Sequence, residues 1–164
     1  MNNMLTWTKG LFDSNYQLFT DGKISGSLLF DTWKNEAKGI GLTSTYLFKT
    51  EGFLKPITNI VNDQNELVGT ITYGSWQTKA TIKMASGEIF GWSFTGSWLN
   101  SWGITDFKDK NISYHSQSSK GIINSSTTDE SMLLIGIFIR EFYARILIFC
   151  IALLIIPSFV RIGF

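Results

Sequence analysis

The chain has 164 residues and a mass of 18.5 kDa, which suits one domain able to bury a core without disulfides or a structural metal. Its 14 basic and 13 acidic residues give a formal charge of +1, so no bulk field attracts nucleic acid, and no nucleic-acid partner is expected. The single cysteine, Cys150, excludes an intramolecular disulfide and the usual thiolate-based zinc site.

The first residues and the overall composition indicate a β domain. Residues 1–10 contain no apolar run after a basic region, so no secretory signal peptide is predicted and a cytoplasmic location is expected. Aromatic residues make up 15% of the chain, and 15 Gly stand against only 2 Pro. This balance favours strands joined by glycine turns.

Alternation of apolar and polar residues predicts about ten to twelve short strands. The first unit has strands at residues 16–20, 24–30, 37–41, 42–50 and 58–62, with an Asp21-Gly22 hairpin turn. The second unit has strands at residues 67–73, 79–84, 88–95 and 98–105. Strands at residues 111–116 and 121–124 complete the set.

A spacing of 43 residues relates the first two units. The matching pairs are Ile24 and Leu67, Gly26 and Gly69, Phe30 and Tyr73, Trp33 and Trp76, and Ala37 and Ala80. A fainter third copy begins near Asp106. Propellers usually need at least about four blades, and at most three units precede the helix. We therefore predict a closed antiparallel barrel, which also leaves no exposed sheet edge.

A long helix is predicted after the barrel, giving a β-barrel domain at residues 1–128 and a hydrophobic helix at residues 129–164. Thr127 and Glu130 have the spacing of a capping box, which places the helix start there. Residues 132–160 are nearly all apolar, so the helix is enclosed by protein or by lipid. The main interruptions are Arg140, Glu141 and Arg145, and the last two have the spacing of a favourable pair.

Two arrangements of this helix stay open. In the first, residues 132–139 fill the barrel, the three charged residues lie at its mouth, and residues 146–164 project into a membrane or dock on a partner. In the second, the helix is wholly intraprotein. The candidate membrane residues are Ile146, Leu147, Phe149, Leu153, Leu154 and Ile155.

The order of these features resembles tubby-like domains. It consists of a polar turn at residues 63–66, a strand with Gly69, an aromatic at Tyr73, then Trp76, Ala80 and the strand around Trp92. The resemblance extends to the superfamily of LURP-one-related proteins and phospholipid scramblases, and it implies a twelve-stranded barrel threaded by a C-terminal helix. Residues 1–128 contain no arginine for the phosphoinositide site of that superfamily and no acidic run for its calcium site.

Catalytic patterns are absent from the sequence, so no enzyme activity and no cofactor are predicted. His115 is the sole histidine and has no placed carboxylate or cysteine to form a relay. Core packing is favoured for Trp76 and Trp92, whereas Trp98 and Trp102 could pack or line a ligand surface.

The function expected from these features is a non-catalytic tubby-like module. It would associate with membrane lipid or a membrane protein through its helix, with the barrel on the cytoplasmic side, and bind lipid or protein as a scaffold. The alternative is a soluble lipid-binding barrel whose helix is entirely internal. The sequence specifies no oligomeric state.

Overall fold

A computed structural model of the chain describes residues 3–10, 14–31, 34–52, 54–74, 78–96 and 98–160, with side chains as far as residue 155. These residues form twelve strands and one helix. The strands are β1 Asn3–Lys9, β2 Tyr16–Thr20, β3 Lys23–Phe30, β4 Glu36–Gly41, β5 Thr45–Glu51, β6 Ile57–Asn62, β7 Leu67–Tyr73, β8 Lys79–Met84, β9 Ile89–Phe94, β10 Ser101–Thr105, β11 Asn111–Gln117 and β12 Lys120–Ser125. The helix is α1 Glu130–Val160.

All twelve strands belong to one closed antiparallel barrel, which confirms the predicted fold. Each strand pairs with its neighbours in sequence, and β1 closes the ring against β12, with Asn3 opposite Ser125 and Thr8 opposite Lys120. Closure supplies every strand with two hydrogen-bonded neighbours, so the sheet exposes no edge to other chains.

The closing strand β1 was missed by the sequence prediction, which placed the first strand at residue 16. Leu5 and Trp7 point inward and are buried, whereas the residues between and beside them face outward. Two inward side chains give too short an alternation to stand out from a loop. The twelve-strand count depends on this segment.

The 43-residue spacing corresponds to a repeated register. Phe30 lies opposite Ala37 across β3 and β4, and Tyr73 lies opposite Ala80 across β7 and β8. Gly26 likewise lies opposite Gly41, and Gly69 opposite Met84. The matching residues therefore occupy equivalent positions in two hairpins. Trp33 and Trp76 lie outside the described residues.

Two predicted strands begin too early because their first residues belong to turns. Residues 42–44 connect β4 to β5, and the Glu130 carboxylate accepts hydrogen bonds from the amides of Leu42 at 3.0 Å and Thr43 at 3.2 Å. Trp98 and Leu99 precede β10, and Leu99 has a φ of 55° that no strand residue adopts.

The helix cap also differs from the prediction. The Asp129 carboxylate, not Thr127, accepts hydrogen bonds from the amides of Ser131 at 3.0 Å and Met132 at 3.4 Å. Glu130 cannot reach back to close a capping box because its carboxylate is bound to the β4–β5 turn. The start of α1 is thus fixed both by its own cap and by the barrel rim.

Residues 131–139 of α1 fill the barrel, and every one of them is buried. Phe138 stacks on Phe48 and Phe30 with ring centroids 4.6 Å and 5.5 Å apart. Trp92 donates its indole N–H to the Gly136 carbonyl at 3.2 Å. The predicted interior segment, residues 132–139, lies within this buried stretch.

The helix is longer than the barrel. Its 31 residues span about 46 Å at ~1.5 Å each, whereas the strands have five to eight residues, or about 17 to 26 Å before tilt. Strand tilt shortens the barrel further along its axis. The C-terminal part of α1 must therefore project beyond the strands.

Candidate functional site

The barrel has two distinct ends because antiparallel hairpins turn alternately at one end and the other. We call them the entry end, where α1 begins beside the β4–β5 turn, and the exit end, where α1 leaves between the β1–β2, β3–β4 and β7–β8 connections. At the exit end Arg145 donates to the Asp31 carbonyl at 3.2 Å, and the Tyr143 hydroxyl donates to the Lys79 carbonyl.

A charged cluster surrounds one buried carboxylate at the exit end. Glu141 is only 2% exposed, and its Oε2 accepts hydrogen bonds from the Tyr16 hydroxyl at 2.6 Å and from Lys9 Nζ at 2.9 Å. Arg140 lies 3.4 Å from the same oxygen, and Arg145 Nε lies 3.6 Å from Oε1. We call these five residues the Glu141 cluster.

The cluster keeps Glu141 ionised despite its burial. Burial alone raises the pKa of this carboxyl, but the hydrogen bonds from Tyr16 and Lys9, together with the Lys9 charge, hold the pKa below its usual value. Burial and the neighbouring carboxylate raise the pKa of Tyr16 well above its usual value, so its hydroxyl stays a donor. One carboxylate therefore faces three cations.

Aromatic side chains seal α1 where it leaves the barrel. Phe142 stacks on Tyr73 with centroids 4.3 Å apart, and Tyr143 meets Tyr73 edge-on at 5.6 Å. The Arg145 guanidinium lies 4.5 Å from the Phe30 ring centroid. Burial raises the pKa of Tyr143 to about 12. These contacts hold the helix axis at the mouth of the barrel.

Beyond the Glu141 cluster, α1 presents apolar side chains to solvent. Ile146 is half-buried, and residues 147–155 are all exposed; we call these nine residues the apolar extension. Its large side chains are Leu147, Ile148, Phe149, Ile151, Leu153, Leu154 and Ile155. Successive helical residues are rotated by about 100°, so these side chains cover every face of the helix. Exposed continuous apolar surface of this kind marks an interaction site.

A helix crosses a bilayer only if it is both long enough and apolar enough. Within the described ranges, no helix is both long enough and apolar enough to cross a membrane. The predicted projecting segment, residues 146–164, extends past the residues whose side chains the structure describes.

Three of the four candidate tryptophans lie among the described residues. Trp92 and Trp102 are buried in the core, where Trp102 stacks on Tyr114 at 5.4 Å. Trp98 is 87% exposed in the β9–β10 connection. Trp76 lies outside the described residues. Sequence reasoning missed Trp7, which is fully buried beside Trp102 and Tyr16.

The remaining candidates, His115 and Cys150, lie outside the Glu141 cluster. His115 lies on the outer face of β11, with Nδ1 2.9 Å from the Ser101 hydroxyl oxygen. Cys150 is exposed on the apolar extension. Among the residues that the structure describes, no group of three His, Cys, Asp or Glu side chains is placed to hold a metal ion.

Comparison with known proteins adds no assignment. No protein-family model, curated protein or solved structure matches the chain. The tubby-like resemblance therefore stays a prediction.

Proposed function

We propose that the chain is a non-catalytic, tubby-like barrel module that attaches to membrane lipid through the apolar extension and serves as a lipid- or protein-binding scaffold. The observation that supports this proposal is the run of exposed apolar residues 147–155, which continues α1 beyond the Glu141 cluster. The helix is ordered on the barrel side, so insertion costs little further ordering of the chain.

The extension offers enough apolar surface for membrane binding. Burial of a large apolar side chain stabilises by about 1.5 to 3 kcal/mol, and seven such side chains are exposed here. Residues 147–160 extend about 21 Å, which is less than the ~30 Å hydrocarbon core. Partial insertion into the hydrocarbon core, without crossing it, therefore fits this part of the helix.

The charge pattern supports a cytoplasmic barrel. Arg140 and Arg145 lie on the barrel side of the extension, which agrees with the excess of basic residues on the cytoplasmic side of membrane segments. The alternative, a soluble lipid-binding barrel with a wholly internal helix, requires an enclosed extension. Residues 147–155 are exposed instead, which favours attachment.

Replacing two exposed isoleucines of the extension is expected to weaken vesicle binding. Ile148 is 68% exposed and Ile151 46% exposed, so the double substitution Ile148→Gln with Ile151→Gln removes apolar surface without disturbing the core. The lost transfer energy of about 3 kcal/mol or more predicts at least a ~100-fold weaker partition. Flotation of the double variant and the original chain with vesicles of phosphatidylcholine and phosphatidylserine measures the two partition coefficients.

The matched control replaces two leucines at the entry end. Leu42 is 72% exposed and Leu67 52% exposed, and both lie at the opposite end of the barrel. Leu42→Gln with Leu67→Gln should bind vesicles like the original chain. Equal flotation of both double variants, or no flotation of the original chain, would contradict attachment through the extension.

A further inference from the structure

The exit end exposes apolar side chains on its loops as well as on α1. Leu54, in the β5–β6 connection, is 90% exposed, and Trp98, in the β9–β10 connection, is 87% exposed. Both connections lie at the end where α1 emerges, because β5 and β9 run toward that end. The apolar extension is therefore flanked by two further apolar loop residues.

Charges are distributed unequally between the ends, although the net charge of the chain is only +1. Among the described residues, the exit end has eight bases and four acids, and the entry end has four bases and eight acids, whereas Lys38 lies in the middle of β4, at neither end. The exit-end bases are Lys9, Lys34, Lys49, Lys55, Lys79, Lys120, Arg140 and Arg145, and the acids there are Asp31, Glu36, Glu51 and Glu141. The entry-end acids are Asp21, Asp63, Glu66, Glu88, Asp106, Asp109, Asp129 and Glu130, and the bases there are Lys23, Lys83, Lys108 and Lys110.

Four exit-end lysines are exposed beside four different connections: Lys34, Lys55, Lys79 and Lys120. The Glu141 cluster adds positive charge at the centre, since one carboxylate faces Lys9, Arg140 and Arg145. An apolar helix within a ring of cations is complementary to an anionic lipid surface, which offers hydrocarbon below a layer of negative headgroups. The acidic entry end would be repelled by the same surface.

We propose that the whole exit end is a docking face for an anionic lipid bilayer, with the apolar extension inserted, Leu54 and Trp98 in the headgroup layer, and the ring of lysines against lipid headgroups. This rests on the proposed function and extends it to the lipid class and to the orientation of the barrel. Tryptophan suits the interface because its ring is apolar and its N–H is a donor. The barrel axis then stands across the membrane plane, with the entry end in water.

The test uses an environment-sensitive fluorophore attached to one cysteine at a time. The native Cys150 reports on the extension, and the Cys150→Ser chain with Leu54→Cys reports on the exit-end loop. The Cys150→Ser chain with Leu42→Cys is the entry-end control. Each is mixed with vesicles of phosphatidylcholine alone or of phosphatidylcholine with phosphatidylserine.

With phosphatidylserine vesicles, the labels at positions 150 and 54 are expected to shift to shorter emission wavelength, and the label at position 42 is expected to stay unchanged. Binding should be at least about tenfold tighter with phosphatidylserine than without it, and added salt should reduce the difference. Both results together support the docking face.

Other outcomes separate this proposal from the proposed function. If the label at position 150 shifts while that at position 54 does not, or if both vesicle types bind equally, the docking face is overturned and attachment through the extension stands. If the label at position 150 stays in water with both vesicles, attachment to lipid is wrong and the docking face with it.

Discussion

Replacing Glu141 with glutamine is expected to lower the free energy of unfolding by about 2 to 3 kcal/mol at neutral pH. The substitution keeps the shape of the side chain but removes the charge that Lys9, Arg140 and Arg145 face. Breaking a buried ion pair costs about 3 to 5 kcal/mol, and the partial exposure of the three cations reduces this figure. Urea denaturation of Glu141→Gln and the original chain measures the difference.

The effect of Glu141→Gln should depend on pH. The folded-state pKa of Glu141 lies below its value in the unfolded chain, which is about 4.3. A lowered folded pKa contributes stability that is fully present above the unfolded pKa and is lost as pH falls through the folded pKa. The gap between the two chains should therefore be constant from pH 7 to about pH 5 and shrink in stronger acid. A gap that stays unchanged in acid would contradict the ionised cluster.

Glu51→Gln is the matched control for this charge. Glu51 is also a glutamate at the exit end, but it is exposed at the end of β5. Its replacement should change the free energy of unfolding by less than about 0.5 kcal/mol, as is usual for surface substitutions. A similar loss of unfolding free energy in both variants would mean that removing any negative charge at the exit end has this effect, and that the contacts of the Glu141 cluster do not cause it.

Replacing Gly136 with alanine is expected to destabilise the protein by about 2 to 3 kcal/mol. A Cβ at this position would lie 2.3 Å from the Tyr114 ring and hydroxyl. Tyr114 cannot move aside, since it is buried, stacks on Trp102 and donates its hydroxyl toward the Leu133 carbonyl at 3.1 Å. Overpacking of this kind costs about 1 to 3 kcal/mol and outweighs the gain in helix propensity. Thermal or urea unfolding measures the loss.

A second substitution tests whether the clash is with Tyr114. Tyr114→Leu removes the ring atoms nearest to the new Cβ. The Gly136→Ala chain with Tyr114→Leu should be more stable than the sum of the two single effects predicts, by about 1 kcal/mol or more. Strictly additive effects would mean that α1 does not pass Tyr114 inside the barrel.

Much of the barrel could be predicted from alternation, because inward residues on most strands are apolar and many outward ones are polar. On β8, Ala80, Ile82 and Met84 face inward between polar residues, and the predicted bounds match those of the structure. β1 has only Leu5 and Trp7 to show the same pattern. Where few inward residues are available, the strand is recognised only from its pairing with β12.

The Glu141 cluster was only partly accessible to sequence reasoning. Glu141 and Arg145 are four residues apart on a helix, so their pairing is a local property. Lys9 and Tyr16 are 132 and 125 residues away from Glu141, and only closure of the barrel brings them to it. Long-range contacts of this kind leave no local signal.

The exposure of the apolar extension could not be read from its composition. A helix that is apolar on all faces fits a protein interior as well as lipid, and the two differ only in what surrounds it. The deciding quantity is the height of the barrel compared with the length of α1, which depends on strand tilt and register. These follow from the assembled sheet and not from any one segment.

One helix fills the barrel and then emerges as the apolar extension, which we propose binds lipid, and thiol reactivity tests both parts. Cys150 is exposed, whereas Ile135 is fully buried. The chain with Ile135→Cys and Cys150→Ser should react with a membrane-impermeant thiol reagent only after unfolding. Cys150 in the original chain should react readily without lipid and slowly with phosphatidylserine vesicles. Reaction at position 135 as fast as at Cys150 would contradict burial of α1 inside the barrel. No protection of Cys150 by vesicles would contradict lipid binding by the apolar extension.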